Sequence, residues 1–376
     1  MIDAFHKLFG ADGNVRVFRA PGRVNLIGEH TDYNLGFVLP VALDLATSIA
    51  TAPSGDGKLR IHSEDRGETR EFDVAAIGSM APQRAWTDYP IGVAQELVKA
   101  GVAIEPASLL IRSTVPEGSG LSSSAALEVS SALAFLRGRA IDPLRLARLC
   151  QSAERNFVGL SCGIMDQYIS VFGREHSAVE IDCRSLGHRL VALPGGITFV
   201  AVNTMVKHAL AGSAYKERVA ECAAACEALG VASLRDVTPE QFAANQQRLP
   251  DVVRRRARHV VTEDARVNQF VEASGRGDLA AMGRLMVESH QSLRRDYEVS
   301  CPELDFLVDA ALAVPGVHGS RMTGGGFGGC TVTLVDESAA GTFRAEIGQR
   351  YNREFGIIPQ VYTCTPSAGA GEVQPS

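Results

Sequence analysis

The stretch Pro21-Gly-Arg-Val-Asn-Leu-Ile-Gly-Glu-His-Thr-Asp-Tyr33 is the most informative part of this sequence. Glu29, His30 and Asp32 place three ionisable side chains within four positions, just after a short apolar run. A carboxylate accepts hydrogen bonds from hydroxyl groups and a neutral histidine both donates and accepts them, so the cluster suits a ligand rich in hydroxyls, such as a sugar. Any one of these residues alone would more often serve a polar turn, but the whole run favours a binding site.

Composition limits the classes of protein to which the chain can belong. Its 376 residues suffice for one large or two ordinary domains, and 45% hydrophobic with 21% charged residues is typical of a soluble globular protein. A net charge of -6 gives no reason to expect nucleic acid as a partner, and the run Arg254, Arg255 and Arg256 is interpreted as a solvated helix face. No apolar run approaches the ~20 residues that cross a bilayer, so we expect no membrane association.

The cysteines and the N-terminal segment indicate the compartment. The eight cysteines include no Cys-x-x-Cys pair, and Met1 to Lys7 has no basic flank followed by an apolar core, as a signal peptide would. We therefore expect reduced thiols and a cytoplasmic location. No interface signal is evident, so a monomer is expected.

Strand-like and helical patterns are mixed along the chain. Residues 15–20 and 109–115 have the pattern of strands, and residues 125–139 have helical apolar spacing. Residues 143–157 continue as a helix, with Asp142 placed to cap it and Pro143 in its first turn. Because strands and helices do not alternate regularly, the pattern predicts an α+β fold in two lobes rather than a doubly wound sheet.

A break in the pattern suggests where the lobes divide. Gly- and Pro-containing turns follow residue 182, and a new strand pattern begins at residue 197. We predict an N-terminal domain at residues 1–185 and a C-terminal domain at residues 186–364. Residues 365–376 are rich in Pro, Gly, Ser and Ala, a composition that predicts a disordered tail.

Two glycine-rich segments indicate a phosphate site. In Pro116-Glu-Gly-Ser-Gly-Leu-Ser-Ser-Ser-Ala125, two glycines allow a tight turn, and three serines then stand at the start of a predicted helix. The unpaired N–H groups and the dipole of such a helix start favour a phosphate. The segment is neither a Walker A loop nor a dinucleotide fingerprint, and an ordinary N-cap explains only one serine. Five glycines between residues 324 and 329 predict a second tight loop, which covers the phosphate site.

Two further carboxylates are candidates for chemistry. Asp166 lies among apolar residues, where it is either a helix-start aspartate or a general base that needs a nearby cation. Arg23 is the candidate cation, and an arginine there would also stabilise charge on a phosphoryl group in transfer. Glu154 is either a solvated helix residue or a ligand of Mg²⁺, which takes one or two oxygen ligands from protein beside a nucleotide.

In these motifs the chain resembles the galactokinases, a family of the GHMP small-molecule kinase superfamily, over nearly its full length. Residues 22–33 resemble the galactokinase signature, residues 118–125 the phosphate loop of the superfamily, and residues 323–329 its third motif. Segments 162–167, 289–294 and 296–305 are also similar to galactokinases. The resemblance implies a two-lobed GHMP kinase fold, with a ribosomal-protein-S5-like sheet and helices in the N-terminal lobe. The C-terminal lobe is then α+β, and the active site lies in the cleft between the lobes.

The resemblance also implies an activity, which is ATP-dependent phosphorylation of the C1 hydroxyl of D-galactose to give α-D-galactose 1-phosphate and ADP. It implies that Asp166 is the catalytic base and Arg23 its charge-stabilising partner. The implied sugar contacts are Glu29, His30, Thr31, Asp32, Gly163, Asp166 and Tyr215. The implied nucleotide contacts are Gly118, Ser119, Gly120, Leu121, Ser122, Ser123 and Ser124, with Trp86 beside the adenine. Ser124 and Glu154 are the implied ligands of a Mg²⁺ cofactor.

Some features of the sequence leave alternatives open. Asp88 and Pro90 at the adenine end, and Glu117 beside the triphosphate, depart from the commoner pattern without removing a catalytic group. One alternative is a kinase for a relative of galactose, namely N-acetylgalactosamine, galacturonate or arabinose. Another is a sugar- and ATP-binding regulator without turnover, which the intact phosphate loop, Asp166 and Arg23 disfavour.

Overall fold

The computed structural model describes residues 1–10, 14–160, 162–207 and 211–373. The helices are α1 (Ile2–Phe9), α2 (Asp88–Lys99), α3 (Ser123–Leu136), α4 (Pro143–Ala153), α5 (Met165–Phe172), α6 (Ala211–Leu229), α7 (Pro239–Asn245), α8 (Asp251–Arg276), α9 (Leu279–Ser292), α10 (Pro302–Leu312) and α11 (Ala340–Phe355). The strands are β1 (Arg16–Asn25), β2 (Phe37–Val38), β3 (Pro40–Pro53), β4 (Lys58–Ser63), β5 (Glu68–Asp73), β6 (Ala107–Ser113), β7 (Ser177–Asp182), β8 (His188–Ala192), β9 (Ile197–Lys207), β10 (Val317–Thr323), β11 (Gly328–Asp336), β12 (Gln360–Cys364) and β13 (Gly371–Val373).

The first lobe is built on a six-stranded sheet with the order β13-β1-β3-β6-β4-β5. Its neighbouring strands are antiparallel except for β4 and β6, which run parallel. Apolar side chains of the sheet pack against α2, α3 and α4, and this core includes Phe18, Ile49, Leu97, Val129 and Leu146. Burial of these side chains is the main driving force that holds the helices on the sheet.

The second lobe contains an antiparallel sheet with the order β10-β11-β9-β12. Successive residues of β9 point to opposite faces, so Phe199 and Ala201 join one apolar cluster while Val200 and Val202 join another. Helices α10 and α11 complete the second cluster, and α8 and α9 contribute to the first. The sheet is therefore covered by helices on both faces, as its continuous apolar sequence requires.

The two lobes share part of their core. Leu26 and Ile27, which directly follow β1, pack in the same cluster as Phe199 of β9 and Met282 of α9. The polar residues of the opening motif begin two positions later and therefore lie where the lobes meet. The prediction of an α+β fold in two lobes is confirmed.

The structure contradicts the predicted disordered tail and leaves the predicted domain boundary untested. The prediction of a disordered tail is wrong for residues 365–373, because β13 pairs with β1 at Val17 and Val373, and the backbone of Ser367 donates to the carbonyl of Ala42. Glu372 of β13 also pairs with Arg16 of β1 at 2.5 Å, so backbone and side-chain contacts both hold the tail in place; residues 374–376 lie outside the described residues. The boundary after residue 185 stays a prediction, and it falls between β7 and β8, which pair with each other.

Two predicted helices are confirmed with small changes of extent. The helix predicted at residues 125–139 is α3, and the one predicted at 143–157 is α4 followed by a π-helical turn at Glu154–Val158. The carboxylate of Asp142 accepts from the backbone N–H of Arg145 at 2.8 Å, which is the expected cap. Among the described residues, no helix combines the length and apolar character needed to cross a membrane.

Candidate active site

The predicted pair Arg23 and Asp166 forms a two-point ion pair at the centre of the site. Arg23 lies on β1 and Asp166 in the first turn of α5. Nε of Arg23 donates to Oδ1 of Asp166 and Nη2 donates to Oδ2, each at 2.8 Å. The Asp166 side chain keeps 26% of its surface exposed, whereas that of Arg23 keeps 7%. The carboxylate is thus held in a fixed orientation with one side open.

The phosphate loop is joined directly to this ion pair. The Arg23 backbone N–H donates to the carbonyl of Leu121 at 3.0 Å, and its guanidinium donates to the carbonyl of Gly120. Ser122 precedes α3 with a left-handed φ of 60°, and its hydroxyl donates to Asp166 instead of capping the helix. A strained backbone at a functional site is stabilised here by a charge-assisted hydrogen bond.

A cavity of about 150 Å³ opens beside Asp166. Its wall contains most of the residues predicted to contact the sugar, which are Glu29, His30, Asp32, Gly163, Asp166 and Tyr215, together with Arg23. Thr31 is the exception, because its hydroxyl donates to the carbonyls of Gly28 and Phe37 and none of its surface is exposed. The same wall includes Cys162, Met165, Gly324 and Gly325, which the sequence analysis did not assign to the sugar.

Asp32 and Gly163 are in close contact in this cavity. A Cβ on Gly163 would overlap the carboxylate of Asp32, so only glycine fits at that position. The pKa of Asp32 is raised to about 7, chiefly by burial and further by the carboxylates of Asp166 and Glu29, while a hydrogen bond from the Tyr33 backbone and the charge of Arg23 oppose the rise. Asp32 is therefore partly protonated near neutral pH.

The glycine-rich third motif holds Glu29. The Glu29 carboxylate accepts from the Thr323 hydroxyl at 2.9 Å, the Gly324 backbone at 2.7 Å and the Asn25 side chain at 2.9 Å. The same motif contacts the phosphate loop, since a Cβ on Gly324 would lie 3.7 Å from the Gly120 carbonyl. The third motif therefore links the small cavity, which Glu29 lines, to the phosphate loop.

Buried charges of the second lobe, which no sequence motif indicates, support the opening motif. Oε1 of Glu263 accepts from the backbone N–H of Gly28 at 3.0 Å and from the Ser289 hydroxyl at 2.7 Å. Arg321, fully buried, donates to the carbonyls of Asn25 and Leu26 at 3.2 Å. Burial opposes ionisation of Glu263, but the guanidinium groups around it outweigh burial and lower its pKa to about 2. Buried charges of this kind need such partners.

A second cavity, of about 770 Å³, lies on the other side of the phosphate loop. Its wall includes the predicted nucleotide residues Trp86, Gly118, Ser123 and Ser124. The remaining predicted residues of the loop do not line it. The Ser119 hydroxyl donates to the Pro116 carbonyl, the Leu121 side chain lies in the apolar core, and Gly120 and Ser122 contact the Arg23–Asp166 pair.

The two departures from the commoner pattern have structural roles in this cavity. Asp88 accepts from the backbone N–H groups of Gln83, at 3.0 and 3.1 Å, and Ala85, at 3.2 Å, which fixes the loop that carries Trp86. Glu117 pairs with Arg66 at the cavity wall, so its negative charge is balanced. Neither carboxylate is left unpaired beside the cavity.

The residues implied for Mg²⁺ lie together behind the phosphate loop. Burial raises the pKa of Glu154, the Asp166 charge raises it further, and a hydrogen bond from Ser124 opposes the rise. Gln167 donates to Glu154 at 2.7 Å and to Glu128 at 2.9 Å, and Oε1 of Glu128 has no partner among the described residues. A buried carboxylate and a hydroxyl are oxygen donors that suit Mg²⁺. In the described part of the chain no group of three or more His, Cys, Asp or Glu residues could hold a metal ion by itself.

Comparison with known proteins identifies the family. The galactokinase galactose-binding signature matches residues 3–53, and the N-terminal and C-terminal GHMP kinase domains match residues 88–174 and 270–353. The chain is 48% identical to a galactokinase of Roseiflexus sp. (strain RS-1), over 99% of this chain and 96% of that one. It is 47% identical to a galactokinase of Chloroflexus aggregans, over 99% and 97%.

Similarity to solved structures supports the same family. The crystal structure of Lactococcus lactis galactokinase complexed with galactose superposes with a TM-score of 0.94 at 35% identity, covering 99% of this chain and 98% of that one. The Methanococcus jannaschii mevalonate kinase, at 19% identity and a TM-score of 0.69, shares the fold. The predicted GHMP kinase fold is thereby confirmed. The chain belongs to the galactokinase family, the ATP-dependent sugar kinases of the GHMP superfamily.

Proposed function

We propose that this chain transfers the γ-phosphoryl group of Mg·ATP to the C1 hydroxyl of D-galactose, giving α-D-galactose 1-phosphate and ADP. The observation that carries the proposal is the position of the Arg23–Asp166 pair. Asp166 opens into the small cavity with its polar wall, while Arg23 is bonded to the phosphate loop beside the large one. Family membership supports the same reaction.

In this mechanism Asp166 orients the acceptor. Its carboxylate accepts a hydrogen bond from the C1 hydroxyl and receives the proton as the phosphoryl group is transferred. The transition state of phosphoryl transfer is loose, so the hydroxyl needs little prior deprotonation and the proton moves late. Arg23 fixes the carboxylate through two hydrogen bonds and places positive charge beside the group in transfer.

The other residues divide between the two substrates. Glu29, His30, Asp32, Gly163 and Tyr215 form the sugar subsite. Gly118, Ser123, Ser124 and Trp86 contact the nucleotide, while Ser119, Gly120, Leu121 and Ser122 shape the loop. Thr31 is left out of the sugar subsite, because its hydroxyl donates to the backbone carbonyls of Gly28 and Phe37.

Ser124 and Glu154 would hold a Mg²⁺ ion. When bound, this ion neutralises charge on the β- and γ-phosphates. Gln167 orients Glu154 through its amide. The proposal also includes a cytoplasmic location and a monomeric enzyme.

A coupled assay of ADP release tests the substrate. We expect the highest kcat/KM with D-galactose among galactose, N-acetylgalactosamine, galacturonate and arabinose, and NMR of the product should place the phosphate on C1. A higher kcat/KM with another of these sugars would show that this sugar, rather than galactose, is the preferred substrate. Binding of galactose and ATP with no ADP release would identify a regulator instead.

Substitution of the acceptor carboxylate tests the mechanism. Asp166→Asn should lower kcat by about 10²–10⁴-fold, the usual contribution of a general base, and leave galactose binding measurable by calorimetry. The matched control is Asp44→Asn, an exposed aspartate on β3, for which kcat should stay unchanged. Full turnover by Asp166→Asn would contradict the assigned role.

A further inference from the structure

A chain of hydrogen bonds, buried at its second-lobe end and part-buried at Tyr33, leads from the second lobe to His30. Nδ1 of His30 lies 2.9 Å from the Tyr33 hydroxyl, which lies 2.6 Å from the Tyr297 hydroxyl. The Tyr297 hydroxyl in turn lies 3.2 Å from Sγ of Cys222. We call Tyr33, Tyr297 and Cys222 the hydroxyl relay.

Two of the three relay residues are fully buried, and Tyr33 is partly buried. Tyr297 and Cys222 are 0% and 2% exposed, and they lie on a π-helical turn after α9 and on α6. The ring of Tyr297 stacks at a tilt against that of His30, with 4.7 Å between their centroids. His30 itself has a left-handed φ of 64°, a conformation that such packing maintains.

The other nitrogen of His30 is free to meet a ligand. His30 is 5% exposed and lines the small cavity, yet its Nε2 atom has no hydrogen-bond partner among the described residues. A buried polar atom without a partner is rare in folded proteins. In the proposed function, a hydroxyl group of the bound sugar is the missing partner of Nε2.

The groups of the relay can donate hydrogen bonds either towards His30 or away from it, and a count of their protons distinguishes the two directions. Burial raises the pKa of Cys222 to about 11, so the thiol keeps its proton, and the Asn34 amide donates to the sulfur at 3.6 Å. If Cys222 donates to Tyr297, each following hydroxyl donates to the next group and Tyr33 donates to Nδ1 of His30. Without a ligand each direction leaves one donor unpaired among the described residues, which is Nε2–H of His30 in the first direction and the Cys222 thiol in the reverse. A ligand in the small cavity can pair with Nε2–H but not with the buried thiol, so the first direction satisfies one more donor once the cavity is occupied.

The lining of the cavity favours the same direction. With Nδ1 accepting from Tyr33, the proton of the neutral ring is on Nε2, which faces a wall containing the carboxyl groups of Glu29, Asp32 and Asp166. A bare nitrogen lone pair there would face these acceptor oxygens instead. Burial lowers the pKa of His30 to about 3, so the ring is neutral at pH 7.

We propose that Tyr33 and Tyr297 are positioning residues that hold His30 as its Nε2–H tautomer, so that His30 donates a hydrogen bond to a hydroxyl oxygen of the sugar. The proposal rests on the proposed function for the identity of the ligand. The tautomer itself is a property of the protein without substrate. The relay therefore makes part of the sugar subsite dependent on residues of the second lobe.

A histidine NMR spectrum measures the tautomer directly. In protein labelled with ¹⁵N-histidine, two-bond ¹H–¹⁵N correlations distinguish the two neutral tautomers, and His30→Gln assigns the signals of His30. His259 is an internal reference, because its Nε2 lies 3.1 Å from the Glu29 carbonyl, which only accepts. We expect His30 to show the same Nε2–H pattern at pH 7. A Nδ1–H pattern in the wild-type protein would overturn the proposal.

Substitution of Tyr297 tests whether the relay determines the tautomer of His30. Tyr297→Phe keeps the ring and removes the hydroxyl, so we expect mixed tautomer signals for His30 and a KM for galactose raised by about tenfold, with the KM for ATP unchanged. The matched control is Tyr351→Phe, which removes a buried hydroxyl that donates to the Thr204 carbonyl, away from the relay. It should change neither His30 nor the KM for galactose.

The outcomes separate this proposal from the proposed function. An unchanged His30 spectrum together with an unchanged KM for galactose in Tyr297→Phe would overturn the role of the relay. Absence of turnover with every sugar would contradict the proposed function, and the tautomer spectra of the wild-type and Tyr297→Phe proteins would still decide the role of the relay.

Discussion

Gly163 lies directly against the carboxylate of Asp32, so close that a Cβ on Gly163 would overlap Oδ2 of Asp32. Gly163 precedes α5, which carries Asp166, the proposed catalytic base, whereas Asp32 belongs to the opening motif. The contact therefore sets the distance between the two sides of the sugar cavity.

Gly163→Ala should displace Asp32 and reduce kcat/KM for galactose by about 100-fold, because misplacement of about 1 Å is enough for such a loss. The KM for ATP should stay near that of the wild type. The matched control is Gly348→Ala within α11, where a Cβ meets no atom within 4 Å. That control should keep wild-type kinetics, and equal kinetics for both variants would contradict the packing argument.

The pKa of Asp32, raised by burial to about 7, predicts a pH dependence of stability. The unfolded chain releases the Asp32 proton near pH 4 and the folded protein only near pH 7, so ionisation favours unfolding between these values. Relative to Asp32→Asn, the wild type should lose ~1.4 kcal/mol of unfolding free energy per pH unit across this range and no more above pH 7.

Urea unfolding of both proteins between pH 5 and pH 8 measures this difference. A difference between wild type and Asp32→Asn that is constant with pH would show that the pKa of Asp32 is not raised.

Asp88→Ala should weaken nucleotide binding selectively. Loss of its carboxylate leaves the backbone N–H groups of Gln83 and Ala85 without their acceptor and loosens the loop that carries Trp86. We expect the KM for ATP to rise about tenfold, as for the loss of ~1.4 kcal/mol, with the KM for galactose unchanged. Asp73→Ala is the matched control, because Asp73 accepts from the Ala75 backbone but does not line the cavity. A parallel rise in both KM values would indicate a general loss of structure.

Glu263→Gln should destabilise the protein. The substitution removes the carboxylate that pairs with Arg266 at 2.7 Å and one of the two carboxylates beside the fully buried Arg321, and a loss of about 3 kcal/mol is typical for a broken buried pair. Urea unfolding at pH 7 measures it. Glu288→Gln removes an exposed carboxylate of α9 that pairs with Arg284 and should change the unfolding free energy by no more than about 0.5 kcal/mol. Similar losses in the two variants would contradict the role of Glu263.

The sequence predicts the parts of the site that are local in the chain. Arg23 and Asp32 stand in one short motif with more polar residues than a turn requires, and Asp166 stands out as a lone carboxylate among apolar residues. The sequence could not show that the Thr31 hydroxyl turns towards the carbonyls of Gly28 and Phe37, because that depends on the backbone geometry of the turn.

The contacts by which the second lobe supports the opening motif could also not be predicted, and the reason is different. Glu263 lies on the long helix α8, where its charge resembles that of a solvated face, and it meets Gly28 only through the tertiary fold. The paired tail shows the same limit. A composition of small residues predicts disorder, but β13 is held by backbone pairing with the open edge of β1 and by the ion pair of Glu372 with Arg16, which composition does not show.

Strand β13 also makes the assembly of the first lobe depend on the order of synthesis. The other strands of its sheet are complete at Ser113, whereas the partner for the edge of β1 is made only at Gly371. Translation at ~5–20 residues per second leaves that edge open for tens of seconds while the second lobe emerges from the ribosome. During this interval the nascent chain exposes a strand that other chains can pair with. The first lobe is thus translated first, but its sheet is completed only by the last strand of the chain, which is made after the second lobe.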